Sequence, residues 1–324
     1  MGGITLGKRT LLITHNLNER LIEAVETLIP DWTLISGKDS SIWQNHLYDA
    51  EIIVGWKKEM TEMFEYTPKL RWLQSWSAGV NSMPLDKLEA LGIKLTSANG
   101  VHAYPISETI FALMLALTRK IHTYVRNQTT KTWHHSELNL EIHGKTIGII
   151  GVGAIGKETA KIAKAFGMNV LGVRNSGRLD EFVDRMYFSH QLDEILPHCD
   201  YVVVTLPLTQ ETHHLFGKKQ FELMKKTAFF INIGRGPIVD EGSFISALNE
   251  GQIAGAGLDV FEKEPLSPKS PLWDMENVIV TPHTAGATEH YAKRVIEDIF
   301  IPNLKLYLNN QTPSINLVDY KKGY

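Results

Sequence analysis

A single cysteine, Cys199, occurs in the 324 residues, so no intramolecular disulfide and no cysteine-based zinc cage can form; a reducing compartment fits. Neither sign of charge is in clear excess. The 33 lysines and arginines face 36 aspartates and glutamates, a formal net charge of -3, and no basic run is long enough to track phosphates. Nucleic acid is not expected as a partner. Long apolar runs are lacking too: the most apolar helical stretch, Thr109 to Leu117, is about half the length a bilayer crossing needs. The first residues, Met1-Gly2-Gly3-Ile4-Thr5-Leu6-Gly7-Lys8-Arg9, lack the apolar segment of an export signal. A cytoplasmic protein without a membrane partner is the expectation. Internal repeats and low-complexity tracts are also missing.

What remains is the composition of an ordinary globular protein, 43% hydrophobic and 21% charged, at a length beyond one comfortable core. Two α/β domains with a cleft between them are expected. Over the first hundred residues, strand-like runs at Thr10 to Thr14, Glu51 to Val54 and Ile93 to Thr96 alternate with helical stretches at Glu19 to Leu28 and Leu85 to Leu91. That alternation predicts a parallel sheet. Pro105 and Glu108 then mark the start of a long helix through Thr109 to Lys120. From Lys145 a second series begins, with strands near 145–150, 169–173, 201–205, 227–232, 254–259 and 277–281, the rhythm of a complete nucleotide-binding sheet. Thr288 to Asn309 reads as helical, and linkers fall near Asn99 to Tyr104 and Thr284 to Ala287.

The first strand of the second series runs directly into Gly151-Val152-Gly153-Ala154-Ile155-Gly156 and then into a helical stretch through Phe166. In this context the glycines serve a tight turn, close approach to a pyrophosphate and close packing of helix on strand, with the helix N-terminus facing the phosphates. A dinucleotide cofactor follows. An acid closing the next strand would bond the ribose 2′-hydroxyl and repel a 2′-phosphate. Here Val173 is followed by Arg174, Asn175, Ser176, Gly177 and Arg178, with no acid until Asp180. Arg174, Ser176 and Arg178 could hold a 2′-phosphate, which favours NADP(H) over NAD(H); the alternative is that these arginines are solvated surface charge.

Arg235, Glu264 and His283 each follow a strand of the series, at the edge where open α/β sheets bind ligands. Reducing a 2-oxo acid needs a cation for the carboxylate, a proton donor for the developing alkoxide and a hydride at the carbonyl carbon. Arg235 offers a planar fork, and His283 a proton carrier near working pH. Glu264 would favour its charged form and fix the ring. Taken singly, each has a structural explanation: a turn cap, a surface ring or a solvated loop charge.

These residues and their surroundings resemble the D-isomer-specific 2-hydroxyacid dehydrogenases, among them glyoxylate/hydroxypyruvate reductases. The resemblance covers most of the chain and is strongest from about Gly144 to Thr288. It rests on the glycine motif, on Leu206-Pro207-Leu208-Thr209-Gln210-Glu211-Thr212, on Ile231 to Gly236 followed by Val239-Asp240-Glu241, on Gly257 to Pro265, and on Thr281-Pro282-His283-Thr284-Ala285-Gly286. It implies that Arg235 binds substrate and that His283 is the acid/base with Glu264 as its partner. It places the cofactor along Gly151, Gly153, Ala154, Ile155 and Gly156, beside Leu206, Pro207 and Thr212, and against Ile233, Gly234, Asp259, His283, Ala285 and Gly286. It also implies a Rossmann cofactor domain over 104–284 and a discontinuous, flavodoxin-like substrate domain over 1–103 and 285–324. The loop Ser75-Trp76-Ser77-Ala78-Gly79-Val80 would offer its Ala78 and Gly79 amides to the substrate carboxylate. Trp56 would wall the pocket or simply belong to the core. A homodimer built on the cofactor domains is implied as well, with the helix near Pro105 contributing and Trp133 in a stretch that in some relatives reaches the partner's site.

The pairs His134-His135 and His213-His214 are not expected to bind metal, since adjacent side chains diverge and no spaced acid or cysteine completes a set. Ser77 and Ser107 lack a nucleophile elbow. A small 2-oxo acid and its 2-hydroxy acid are the expected substrate pair. Two other readings stay open. One is a D-3-phosphoglycerate dehydrogenase-like enzyme, disfavoured because little charge beyond Lys57 and Lys58 lies near Trp56 and because the roughly forty residues after His283 would not hold a regulatory domain. The other is a nucleotide-sensing binding protein without turnover.

Overall fold

The structure, a computed structural model, describes residues 8–62, 67–80, 82–135 and 138–321. The chain divides into two compact units, Met1–Val101 with Thr288–Tyr324, and His102–Ala287. The first holds five parallel strands: β1 (Thr10–Ile13), β2 (Thr33–Ser36), β3 (Ala50–Val54), β4 (Trp72–Gln74) and β5 (Lys94–Thr96), in the order β2-β1-β3-β4-β5. This is the doubly wound order of flavodoxin-like sheets. Because successive strand residues face opposite sides, Leu11, Ile13, Ile52, Val54 and Trp72 pack on one face with Leu21, Val25, Phe300 and Leu304. Leu12, Ile53, Leu73 and Leu95 fill the other. Two of these strands go beyond the sequence reading. β2 is a partly exposed edge, and β4 is three residues long and ends in a buried glutamine, so neither carries a continuous apolar signal. The helical tail runs from Tyr291 to Leu308, with a wider, π-type winding over Arg294–Phe300 just before Pro302, which has no N–H to give the preceding turn.

The second unit holds seven parallel strands: β6 (Thr146–Ile150), β7 (Asn169–Val173), β8 (Arg185–Tyr187), β9 (Tyr201–Val204), β10 (Phe229–Asn232), β11 (Gly255–Leu258) and β12 (Val278–Val280). Their order, β12-β11-β10-β9-β6-β7-β8, reverses between β6 and β9, the Rossmann arrangement whose switch point binds dinucleotides. Both faces are covered, so the central strands read as unbroken apolar runs: Val202, Val204 and Phe230 face one layer, and Tyr201, Val203, Phe229 and Ile231 the other. β8 adds a seventh strand to the six expected; it is a partly exposed three-residue edge. The long helix begins at Ala103 and ends at Thr118, and Lys120 at φ 52° turns the chain into a further helix, Ile121–Thr129. Among the described residues no helix is long and apolar enough to cross a membrane.

Candidate active site

Each motif glycine of the turn after β6 has its own constraint. Gly151 sits at φ 112°, and a side chain there would lie 3.0 Å from the Leu206 nitrogen. Gly153 faces open space, and at Gly156 a Cβ would come 2.5 Å from the Gly151 carbonyl. These are the demands of a tight turn, an approaching ligand and a closely packed helix. The helix Ala154–Ala165 starts at Gly153 with no side-chain cap, which leaves its first amides available to an anion. A Cβ at Gly234 would lie 2.7 Å from the Leu206 carbonyl, so the Leu206 backbone is held between Gly151 and Gly234. The turns after β6, β9 and β10 therefore meet. Thr205, which sequence reasoning passed over, donates its hydroxyl to the Gly151 carbonyl at 2.6 Å. Thr212 donates to the Pro207 carbonyl at 2.8 Å and so braces that loop.

Beyond β7, Arg174 follows directly, and its Nη1 is buried without a hydrogen-bond partner among the described residues. A buried guanidinium nitrogen left unpaired is costly, and a phosphate oxygen would satisfy it. Ser176 and Arg178, two and four residues further along the chain, are exposed. Asp180, the first acid after the strand, is paired with Lys157 at 3.0 Å. The open glycine turn and the uncapped helix start fit a dinucleotide pyrophosphate, and the orphaned guanidinium nitrogen after β7 fits a phosphate at the ribose end.

Three loops after β10, β11 and β12 carry Arg235, Glu264 and His283. Asn232, buried at the end of β10, accepts from the Gly234 N–H at 3.0 Å and donates to the Arg235 carbonyl at 3.2 Å, which fixes the turn. Arg235 Nη1 in turn donates to the Gly234 carbonyl at 2.7 Å. At Gly236 any Cβ would run into the Phe261 carbonyl, so only glycine lets the Arg235 loop lie against the loop of Glu264. The Glu264 carboxylate accepts from the Phe261 N–H at 3.0 Å through one oxygen, and its other oxygen lies 2.7 Å from His283 Nδ1. Both side chains are partly open to solvent, 49% for His283 and 36% for Glu264. Burial works to raise the Glu264 pKa. The hydrogen bonds from His283 and the Phe261 N–H, with the charges of His283 and Arg235, outweigh it and hold the carboxyl below its ordinary value.

His283 stands at φ 53°, a left-handed conformation uncommon outside glycine. Asp259 enforces it. Buried to 1%, its carboxylate accepts from the Thr281 hydroxyl at 2.6 Å and from the Thr284 and Ala285 N–H groups, both at 2.9 Å. Three of about four acceptor sites are thus committed to the loop that presents the imidazole. Gly286 gives its carbonyl to His102 Nδ1 at 2.8 Å, and Ile233 and Ala285 are buried in the core behind.

The residues expected at the substrate in the first unit lie in the turn after β4 and at the end of β3. Ser77 donates twice within the turn, its N–H to Ser75 Oγ at 3.0 Å and its hydroxyl to the Gly79 carbonyl at 2.7 Å. Ala78 is half-buried, and Gly79 faces open space. Trp56 is half-buried and packs on the core of its unit. The His213 and His214 rings pack at a tilt with centroids 4.0 Å apart, and among the described residues no group of three or more His, Cys, Asp or Glu side chains is placed to hold a metal ion.

A family model described as "D-isomer specific 2-hydroxyacid dehydrogenase, NAD binding domain" matches residues 111–285. The chain is 37% identical to a glyoxylate reductase of Korarchaeum cryptofilum over 264 residues, 80% of this chain and 79% of that one. A D-isomer specific 2-hydroxyacid dehydrogenase family protein from Aeromonas salmonicida superposes with a TM-score of 0.82 at 32% identity, covering 97% of this chain and all of that one. An NADPH-dependent glyoxylate/hydroxypyruvate reductase from Sinorhizobium meliloti, solved with NADP and sulfate, superposes at 0.77 with 28% identity, over 98% of this chain and 100% of its own. With the acid–imidazole pair, the arginine and the glycine turn set on one Rossmann sheet, these likenesses show that the chain belongs to the NAD(P)-dependent D-isomer-specific 2-hydroxyacid dehydrogenases.

Proposed function

We propose that the chain reduces glyoxylate, hydroxypyruvate or a similarly small 2-oxo acid to the matching 2-hydroxy acid, the D isomer where the product is chiral, with NADPH preferred over NADH. The observation that carries the reading is the 2.7 Å contact of His283 Nδ1 with Glu264, on loops locked beside Arg235 by Gly236 and Asp259. With Nδ1 held by the carboxylate, the ring of His283 presents Nε2, and the proton carried there passes to the substrate carbonyl oxygen as charge develops on it. Glu264 is held in its carboxylate form and fixes the orientation of the ring through Nδ1. The guanidinium fork of Arg235 receives the substrate carboxylate. A nicotinamide, when bound, would supply the hydride to the carbonyl carbon. In the first unit, we assign the Ala78 and Gly79 amides and the Trp56 ring to substrate contact.

The preference for NADPH is supported by the unpaired Arg174 Nη1, by Ser176 and Arg178 further along the chain, and by the engagement of Asp180 with Lys157. Leu206, Pro207, Ile233 and Gly234 would line the same cofactor, and Asp259 keeps one acceptor site for it. A homodimer is supported by exposed apolar side chains at Ile121, Val125 and Trp133, the last 93% exposed, and light scattering at two concentrations reads it directly. The test of the function is turnover of a panel of 2-oxo acids with NADPH and with NADH. The reading expects NADPH oxidation with glyoxylate or hydroxypyruvate, and at least about tenfold weaker use of NADH. A folded protein that binds NADPH yet turns over no 2-oxo acid would be a nucleotide sensor instead.

A further inference from the structure

For Arg235 and Glu264 to act on one substrate, the loop of 235–240 and the loop of 261–264 must stay in register. Asn232 fixes the first loop at its start and Asp240 caps the helix at its end, accepting from the Ser243 N–H at 2.7 Å. A third segment reaches both loops. The His214 N–H donates to the Pro237 carbonyl at 2.8 Å, the Phe216 N–H to the Ile238 carbonyl at 3.0 Å, and the Asp240 N–H returns to the Phe216 carbonyl at 2.9 Å. Residues 214–216 thus lie alongside 237–240. From that position the His214 ring crosses to the other loop: Nε2 is 3.0 Å from Glu262 Oε1, while Nδ1 is 3.9 Å from Asp240 Oδ2. The Glu262 N–H also donates to Glu241 at 3.3 Å, and the His213 ring packs against the His214 ring at a tilt of 31°. His214 holds this place at φ 51°, where glycine would sit without strain, so its side chain is kept against a backbone cost.

We propose that His214 is a positioning residue for the reduction: by joining Glu262 to the 237–240 segment it sets the Glu264 loop against the Arg235 loop. The inference rests on the proposed reaction. The ring and both carboxylates are more than a third exposed, and polar contacts at that exposure add little to stability. A catalytic group displaced by about 1 Å can nevertheless cost about a hundredfold in rate. The two effects should therefore separate.

His214→Gly keeps the backbone angle and removes the ring, and His214→Asn keeps the angle and restores a short donor. Both are compared with the wild type in the presence of NADPH. In His214→Gly, melting temperature and NADPH affinity should hold, kcat/KM for glyoxylate should fall about tenfold, and His214→Asn should recover part of that loss. Amide exchange at Phe261 and Glu262 should quicken in His214→Gly, while Thr284 and Ala285, held by Asp259, should not change. Wild-type kinetics and unchanged exchange in His214→Gly would overturn the proposal, as would a fall in melting temperature and NADPH affinity that tracks the loss of rate. If the wild type itself turns over no 2-oxo acid, the reaction reading fails on its own. The brace then stands or falls on exchange: quickening confined to 261–262 supports it, and no change refutes it.

Discussion

His15 and His283 occupy matching places in the two units: each follows a parallel strand at its carboxyl end, His15 after β1 and His283 after β12. Their surroundings are opposite. The His283 Nδ1 lies 2.7 Å from a carboxylate, and the ring is half open to solvent. The His15 ring is half-buried and stacked on Trp76 with centroids 4.1 Å apart and planes 11° from parallel. Burial, then the nearby charges of Lys57 and Lys38, push its pKa down to about 4. One imidazole is placed to carry a proton, and the other is kept neutral. The carboxyl edge of a parallel sheet offers a location, and burial together with the neighbouring charges sets whether a histidine there is suited to carry a proton.

The contrast is most exposed to test at the rings themselves. His283→Ala should lower kcat by about two to four orders of magnitude while NADPH still binds. His15→Ala should cost less than about tenfold, and equal losses in the two variants would erase the distinction drawn between them. Arg235→Lys retains charge but loses the fork, so KM for the oxo acid should rise by about 10- to 100-fold in steady-state kinetics. Arg174→Ala should raise KM for NADPH by about tenfold and leave NADH nearly unaffected, since only the former brings a group to the unpaired Nη1.

Stability against pH carries the signature of the buried ring. The folded-state pKa of His15 lies below its unfolded value, so the unfolded chain takes up the proton first. Stability should therefore decline as pH falls from about 6.5 toward about 4. Urea titrations at neutral and mildly acidic pH should show that decline, and His15→Asn should flatten it. Glu264 shifts downward instead, so its contribution is present above the ordinary carboxylate pKa and is lost as pH drops through the folded value; solvent exposure keeps it small. The smallest effect concerns Cys199, whose thiol burial pushes up to about 12. A thiol reagent should leave it untouched in the folded protein at neutral pH and modify it on unfolding.

Six strands of the second unit were legible: β6, β7, β9, β10 and β11 lie inside the sheet and are mainly apolar, and β12, though a short edge, reads Val278-Ile279-Val280. Short or edge strands such as β2, β4 and β8 have no such run, and only pairing with a neighbour defines them. Arg235, Glu264 and His283 stood out because each follows a strand, a position that can be read along the chain. The braces could not be read that way. Asn232 acts within its own turn, but Asp259 holds residues 281–285, Thr205 reaches back to Gly151, and His214 reaches Glu262. Each of those contacts closes only when segments far apart in sequence fold together. The motif resemblance groups Asp259 with the cofactor; the structure adds that its carboxylate shapes the loop of His283.

The most direct measurement is single-turnover oxidation of bound NADPH by glyoxylate, followed by the loss of nicotinamide absorbance in the wild type and in His283→Ala. A rapid decay in the wild type that slows by about two orders of magnitude or more in the variant, at equal NADPH occupancy, is the predicted result. Equal decay rates in the two proteins would contradict it, because the proton would then be reaching the substrate from elsewhere.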